Sequence, residues 1–209
     1  MSRPDRLVLV VGTGTEVGKT WVAAALARAL QENGSTVAAR KPAQSYVPGE
    51  GPTDAEVLAA ATGEDAEEVC LPHRWYEVPM APPMAAAALG RGSFTVADLA
   101  AELRFPSPAD YGLVEGAGGV RSPLADDGDV VDLAGKLEPD VVVLVADAGL
   151  GTINAVRLSV TALGARPVVT MLNRFDEELA LHRENRRWLQ ERAGIRVVCS
   201  IAELANSLE

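Results

Sequence analysis

The sequence predicts an α/β fold in which a doubly wound, mostly parallel sheet carries helices on both faces. Short apolar runs rich in β-branched residues alternate with alanine- and leucine-rich segments of helical length, a pattern typical of parallel sheets buried on both sides. A glycine-containing turn joins the first apolar run to the first helical segment, as in folds that bind phosphate at a helix start. A chain of 209 residues is long enough for one well-packed core, and we expect a single domain over residues 1–209.

Local patterns justify the individual elements. Apolar runs predict strands at 7–11, 35–40, 111–115, 140–146, 166–172 and 195–199. Helices are predicted at 18–32, 53–62, 95–104, 129–137, 151–163 and 176–192. Four prolines between residues 70 and 84 predict an ordered loop over the carboxyl edge of the sheet.

Composition and charge exclude several classes of function. A formal net charge of −10 and a sequence pI near 4.8 oppose binding to nucleic acid, which requires a basic face. No apolar run reaches the roughly 18 residues of a membrane span, and the first residues do not have the pattern of a secretory signal. We therefore expect a cytoplasmic protein that binds small molecules and neither nucleic acid nor membrane. Cys70 and Cys199 have no partner at metal-ligand spacing and are predicted to be buried thiols.

The segment GTGTEVGKT at 12–20 resembles a phosphate-binding loop. The strict pattern G-x-x-x-x-G-K-[ST] would need a glycine at Thr13, but the chain has its glycine one residue earlier, at Gly12, so the loop is one residue longer. Between a strand and a helix, backbone N–H groups and the helix dipole favour phosphate. Lys19 would reach the β and γ phosphates and Thr20 would offer its hydroxyl to Mg²⁺. A tight turn with a solvated lysine is the alternative interpretation.

Polar residues follow three other predicted elements near the same edge of the sheet, where ligands bind in open parallel sheets. Lys41 follows the second strand, although a solvated lysine would fit there too. Asp54 lies at a predicted helix start, where capping is the simpler explanation. Glu115 ends the third strand and precedes three glycines in four residues, which suggests a carboxylate beside Mg²⁺ and a backbone close to substrate. Thr20, Asp54 and Glu115 together form a plausible Mg²⁺ set, with the positive charges of Lys19 and Lys41 offsetting phosphoryl charge.

These motifs, in this order, resemble the dethiobiotin synthetase family over nearly all of the chain. The matching segments are GTGTEVGKT (12–20), KPAQS (41–45), TDAEVL (53–58), VEGAGGV (114–120), LGTIN (150–154) and LN (172–173). The longer phosphate loop is itself the family's form. The resemblance thus implies an enzyme of the P-loop NTPase-like fold, and a homodimer with the substrate carboxylate site at the interface.

The resemblance also implies an ATP- and Mg²⁺-dependent cyclo-ligase of biotin biosynthesis. One amine of 7,8-diaminononanoate takes up CO₂ or bicarbonate as a carbamate, the carbamate attacks the γ phosphate, and the second amine closes the ureido ring, which gives dethiobiotin, ADP and phosphate. Lys19 and Lys41 would be catalytic. The implied nucleotide-binding residues are Glu16, Val17, Gly18, Lys19, Thr20, Trp21, Asp54, Glu115, Gly116, Ala117, Gly118 and Asn173, the last of which would read adenine. The implied substrate-binding residues are Thr15, Lys41, Ser45, Gly118, Gly151, Thr152, Ile153 and Asn154.

The chain departs from the family pattern at several points. Tyr46 stands where the family has glycine after K-P-x-x-[ST], which would place a bulky ring near the substrate. Ala155 replaces the usual histidine after LGTIN, and the segment 197–209 lacks the Gly-x-x-Pro turn that helps to enclose the nucleobase.

The sequence disfavours two other functions. A switch-type ATPase of the septum-positioning and plasmid-partition class shares the fold, but it carries an additional lysine near the start of the loop, where this chain has Thr13 and Gly14. An amidotransferase-linked ligase of the cobyrinate diamide type would need a glutaminase domain, for which 209 residues leave no room.

Overall fold

A computed structural model describes residues 3–208 of the chain. The strands are β1 (Arg6–Gly12), β2 (Val37–Arg40), β3 (Gln44–Ser45), β4 (Trp75–Tyr76), β5 (Tyr111–Glu115), β6 (Pro123–Ala125), β7 (Gly128–Asp129), β8 (Val141–Asp147), β9 (Val168–Asn173) and β10 (Val197–Val198). The helices are α1 (Lys19–Glu32), α2 (Asp54–Thr62), α3 (Ala66–Val69), α4 (Pro82–Ala88), α5 (Val96–Glu102), α6 (Val130–Leu137), α7 (Thr152–Leu163), α8 (Ala180–Glu191) and α9 (Ile201–Asn206).

Six strands form one parallel sheet in the order β10-β9-β8-β1-β5-β2. Alternate residues of β1 face opposite sides, so that Leu7 and Leu9 enter one core while Val8 and Val10 enter the other. Helices α5, α6, α7 and α8 contribute to the first core, and α1, α2 and α9 to the second. The sheet is therefore covered on both faces, and the predicted doubly wound α/β fold is confirmed.

All six predicted strands and all six predicted helices are present; β5 has the predicted bounds, and the ends of the other elements differ. The largest shift is in α8, which was predicted to begin at residue 176 but begins at Ala180. Residues 176–179 form a turn instead, in which the Leu179 N–H donates to the Asp176 carbonyl and the Glu178 N–H to the Asp176 side chain. A short acidic side chain that bonds nearby backbone N–H groups competes with the helix here.

The predicted loop at 70–84 contains regular structure that its prolines concealed. Residues 72–74 form a single 3₁₀ turn, β4 pairs with β3, and α4 begins at Pro82. Pro82 and Pro83 occupy the first helical turn, where no intrahelical N–H bond is lost, and the run Met-Ala-Ala-Ala-Ala that follows favours a helix. The expectation of a loop was therefore wrong for the end of this segment, since prolines also start helices.

Five short elements outside 70–84 were also absent from the sequence-based expectations. These are α3, α9, β3 and the two strands of the β6–β7 hairpin, and none of them is longer than six residues. Among residues 3–208 no helix has both the length and the apolar character needed to cross a bilayer.

Candidate active site

The loop between β1 and α1 presents backbone N–H groups at a helix start. Gly18 precedes α1 in the left-handed conformation, with φ of 91°, and no side chain caps the first turn. Glu16 also has a positive φ, of 60°, so the chain turns sharply twice before the helix. Uncapped N–H groups and the positive end of the helix dipole form a ready site for anions.

Glycine is required at both ends of this loop by close packing. A Cβ on Gly12 would lie 2.9 Å from the Gly14 carbonyl oxygen and from side-chain carbons of Val17 and Lys19. A Cβ on Gly18 would lie 2.2 Å from Asn173 Nδ2. Gly12, at the start of the longer loop, therefore has to be a glycine. It lies one position before Thr13, where the strict motif has its first glycine.

Lys41 is buried at the centre of a cluster of charged side chains, of which Glu115 is also buried and Asp54 is partly exposed. Its Nζ is 2.6 Å from Asp54 Oδ2 and 2.7 Å from Glu115 Oε1, and it donates to the Gly116 carbonyl at 3.2 Å. The Lys41 and Glu115 side chains are each 2% exposed. Thr20 Oγ1 lies 2.8 Å from Asp54 Oδ1 and 2.9 Å from Glu115 Oε1, so the helix that carries the phosphate loop joins the same cluster.

Burial and ion pairing set the pKa values in this cluster. Burial alone would lower the pKa of Lys41, but the charges of Asp54 and Glu115 outweigh it and raise that pKa. Burial would raise the pKa of Asp54, but Lys41 lowers it below its ordinary value. Complete burial raises the pKa of Glu115 despite Lys41. Burial, followed by the charge of Lys41, lowers the pKa of Lys19. Lys41 and Asp54 therefore carry their charges firmly in the folded protein.

The oxygen atoms around Thr20 fit a Mg²⁺ ion. Glu115 Oε2 is buried and has no hydrogen-bond partner within residues 3–208, although its other oxygen binds Lys41. The hydroxyl of Thr20 and the carboxylates of Asp54 and Glu115 are hard oxygen donors at the end of the phosphate loop. The part of the chain that the structure describes contains no cluster of three or more His, Cys, Asp or Glu side chains placed to hold a metal. Mg²⁺ commonly uses one or two carboxylates together with phosphates and water, which matches this smaller set.

A cavity of about 730 Å³ extends from the phosphate loop over the charged cluster. Most of the predicted phosphate, metal and substrate residues of the N-terminal half line it, as does the end of β5: Thr15, Glu16, Gly18, Lys19, Thr20, Lys41, Ser45, Asp54, Glu115, Ala117 and Gly118. The apolar segment 79–82 forms another part of the wall, which agrees with the expectation that the proline-rich region lies over this edge. Polar groups and an apolar surface are therefore combined in one cavity.

Sequence reasoning missed four residues of this cavity. Gln44, Ser122, Pro123 and Arg174 also line it. Gln44 lies within the matching segment KPAQS and the other three lie close to matching segments, but none has a residue type or spacing that identifies it in isolation. Arg174 has a positive φ of 57°, and its guanidinium donates to the Glu16 carbonyl and to Asp147.

A second cavity, of about 620 Å³, adjoins the first at Gly18 and Arg174. Trp21 and Asn173, both predicted to bind nucleotide, line it together with Phe175 and the segment 199–201. Asn173 Nδ2 donates to the Val17 carbonyl at 2.9 Å, which ties the end of β9 to the phosphate loop. The short C-terminal segment thus contributes a wall without the Gly-x-x-Pro turn.

Two sequence expectations concern residues that lie outside both cavities. Gly151, Thr152, Ile153 and Asn154 start α7 but do not line either cavity of this single chain. Tyr46, which was expected near the substrate, lines neither cavity: its ring packs edge-on against Trp75, and its hydroxyl donates to Glu77. The chain leaves the cavity wall after Ser45, because β3 pairs with β4 and carries the next side chain outward.

Comparison with known proteins gives one consistent family. Residues 6–208 match a family model described as an AAA domain. An ATP-dependent dethiobiotin synthetase from Haloferax mediterranei is 44% identical over 191 residues, which cover 88% of this chain and 79% of that protein. A protein of the same name from Corynebacterium efficiens is 41% identical, over 75% of this chain and 69% of that protein. Another, from Aquifex aeolicus, is 35% identical, over 90% of this chain and 86% of that protein.

Solved structures with low identity share the fold. A putative plasmid partition protein from Borrelia burgdorferi, bound to AMPPNP, aligns with a TM-score of 0.57 at 14% identity and covers 100% of this chain and 92% of that one. The signal recognition particle receptor FtsY from Elizabethkingia anophelis aligns with a TM-score of 0.56 at 13% identity, over 99% of this chain and 66% of that one. These likenesses confirm the P-loop NTPase-like fold, whereas the sequence relatives identify the family. The chain belongs to the ATP-dependent dethiobiotin synthetase family, whose members are ligases that form carbon–nitrogen bonds.

Proposed function

We propose that this protein closes the ureido ring of dethiobiotin from 7,8-diaminononanoate, CO₂ or bicarbonate, and ATP. The observation that carries the proposal is the Lys41 cluster, which lies in one cavity with the phosphate loop and an apolar wall. A diamine with a long aliphatic chain needs polar groups at one end and apolar surface beside it. The segment 79–82 supplies that apolar surface.

Different residues of the cavity have different roles in the reaction. The start of α1 and Lys19 bind the phosphates of ATP. Lys41, held in its charged form by Asp54 and Glu115, places a positive charge where the carbamate oxygen attacks the γ phosphate. Thr20, Asp54 and Glu115 would hold Mg²⁺, which supplies charge neutralisation on the phosphates when it is bound.

We assign the nucleobase to the second cavity. Trp21 is 59% exposed and lines this cavity with Phe175, so flat apolar surfaces are available for stacking. Asn173 lies between the phosphate loop and this cavity, and its side-chain oxygen can accept a hydrogen bond from an adenine amino group.

We also propose a homodimer in which the start of α7 serves the partner's substrate site. Gly151 begins α7 with φ of 92° and no side-chain cap, and Leu150 beside it is 92% exposed. An uncapped helix start favours a carboxylate, yet it lies outside the cavity of its own chain. A second copy would supply the missing carboxylate site.

The first prediction concerns the products of the reaction. Dethiobiotin, ADP and phosphate should form only when ATP, Mg²⁺, bicarbonate and 7,8-diaminononanoate are all present, and removal of Mg²⁺ by EDTA should stop product formation. Mass spectrometry of the purified protein's reaction mixture measures this directly. ATP hydrolysis that proceeds without the diamine and yields no ring product would instead indicate a nucleotide-dependent switch.

The second prediction concerns Lys41. Lys41→Leu removes the buried charge and should lower kcat by roughly a hundredfold or more, the usual effect of losing a preorganised electrostatic group. Nucleotide affinity should change little, because Lys19 and the phosphate loop remain. Lys136, which is exposed on α6, provides the matched control variant Lys136→Leu. Wild-type kcat in Lys41→Leu would remove Lys41 from the catalytic set.

The third prediction locates the nucleobase through the reactivity of Cys199. Burial raises the pKa of Cys199 to about 11 and that of Cys70 to about 12. Because the thiolate is the reactive form, labelling of the half-buried Cys199 by iodoacetamide should be slow at neutral pH and accelerate as the pH rises, whereas the buried Cys70 should stay unlabelled. ATP should protect Cys199, and inorganic tripolyphosphate, which has no base, should not. Equal labelling rates with and without ATP would place the base elsewhere.

The fourth prediction tests the shared substrate site. Lys41→Leu and Asn154→Asp should each inactivate the pure protein, the second because a carboxylate in the first turn of α7 repels the substrate carboxylate and gives a high KM for the diamine. A mixture of the two variants should recover activity, since one site of each mixed dimer combines an intact Lys41 with an intact Asn154. No recovery after subunit exchange, which sedimentation of differently labelled chains can verify, would show that each chain builds its own complete site.

A further inference from the structure

Gln44 is a buried residue that lines the first cavity. The proposed reaction gives it no role. It is 2% exposed and lies in β3, between Lys41 and the predicted substrate residue Ser45 in sequence. Its Oε1 accepts a hydrogen bond of 2.9 Å from the Ala55 N–H in the first turn of α2. Its Nε2 is buried and has no hydrogen-bond partner among the described residues.

The orientation of the Gln44 amide is fixed by the protein. The Ala55 N–H is a donor and can pair only with the carbonyl oxygen of the amide, so the NH₂ group must lie on the other side. A buried donor without an acceptor carries a free-energy cost, and a ligand that supplies the acceptor removes that cost. Gln44 is therefore preorganised to donate to a group in the cavity.

The neighbouring Lys41 has no free proton to donate to a ligand in the cavity. Its ammonium group has three protons, and Asp54, Glu115 and the Gly116 carbonyl already accept from it. Lys41 thus supplies charge, whereas Gln44, which lines the same cavity, has a buried NH₂ group with no acceptor among the described residues. The substrate atom that needs such a donor is an oxygen of the carbamate, since a carboxylate-like group accepts hydrogen bonds and donates none.

We propose that Gln44 is a substrate-binding residue whose Nε2 donates to the carbamate oxygen, while its Oε1 holds the start of α2 and so positions Asp54. This inference rests on the proposed function. One amide would then couple the substrate to the carboxylate that pairs with Lys41.

The test separates the two ends of the amide. Gln44→Glu keeps an oxygen for the Ala55 N–H but replaces the donor with a second oxygen, which repels the carbamate. The KM for the diamine should rise on the order of tenfold or more, as expected for the loss of a hydrogen bond to a charged group, with ATP affinity unchanged. Gln31→Glu on α1, whose amide donates to the Thr62 carbonyl, makes the same chemical change outside the cavity and should behave as wild type. Gln44→Met, which loses both ends, should raise KM and also lower kcat, because Asp54 loses its support.

The outcomes distinguish this inference from the proposed function. A wild-type protein that forms no ring product contradicts the proposed function. A wild-type protein that forms it while Gln44→Glu keeps the wild-type diamine KM contradicts only the role of Gln44. A parallel loss of ATP affinity, diamine affinity and thermal midpoint in Gln44→Glu would show that the residue is merely structural.

A second measurement uses the wild-type protein and does not depend on the folding of a variant. In ¹⁵N-labelled protein, the side-chain NH₂ resonance of Gln44 should shift when bicarbonate and the diamine are added together, and that of Gln31 should not. An unchanged Gln44 resonance at saturating diamine would overturn the proposal.

Discussion

The geometry of the site depends on the burial of one lysine between two carboxylates. Lys41 leaves the end of β2, Glu115 ends β5 and Asp54 begins α2, so a single ammonium group fixes three elements of the fold relative to one another. Thr20 adds α1 through its contacts with both carboxylates. Buried ion pairs contribute little net stability, because desolvation offsets most of the attraction, and an apolar replacement is often as stable. The presence of such a cluster in the wall of a cavity is better explained by the positive charge that Lys41 places there than by a contribution to the stability of the fold.

Parallel register brings these groups together. Arg40 pairs with Val114 and Val10 pairs with Glu115, so Lys41, Glu115 and the residues that follow β1 reach the same edge of the sheet. Strands that are buried on both faces tolerate no slip, because a shift of one residue would turn every core side chain to the opposite face. The packing of two apolar cores against the sheet therefore sets the distances among polar groups that take no part in either core.

Sequence patterns predicted the parts of the molecule in which local chemistry and global fold agree. The six core strands are uniform apolar runs, and the phosphate loop has a spacing that specific glycines enforce. The sequence patterns missed the parts in which tertiary contacts determine the local conformation or the position of a side chain. The prolines of 70–84 were interpreted as loop residues although two of them start a helix, and Tyr46 was placed near the substrate although it lines neither cavity. Gln44 could not be recognised, because its importance arises from an unpaired amide nitrogen, which only the surrounding structure reveals.

The fold alone does not determine the chemistry at this edge of the sheet. A putative plasmid partition protein shares the fold over the whole chain at 14% identity, so one fold serves proteins of different kinds. A synthetase must hold a second reactant beside the γ phosphate and exclude water, whereas a switch needs only nucleotide and a surface that responds to it. This chain has a cavity beyond the phosphate loop, with an apolar wall at 79–82 and two polar side chains, Gln44 and Ser45, each of which has a buried atom without a hydrogen-bond partner within residues 3–208. A ligand that forms hydrogen bonds with buried polar atoms in a preformed cavity removes the free-energy cost of leaving them unpaired. These atoms therefore indicate a protein that binds a second small molecule, and not one that responds to nucleotide alone.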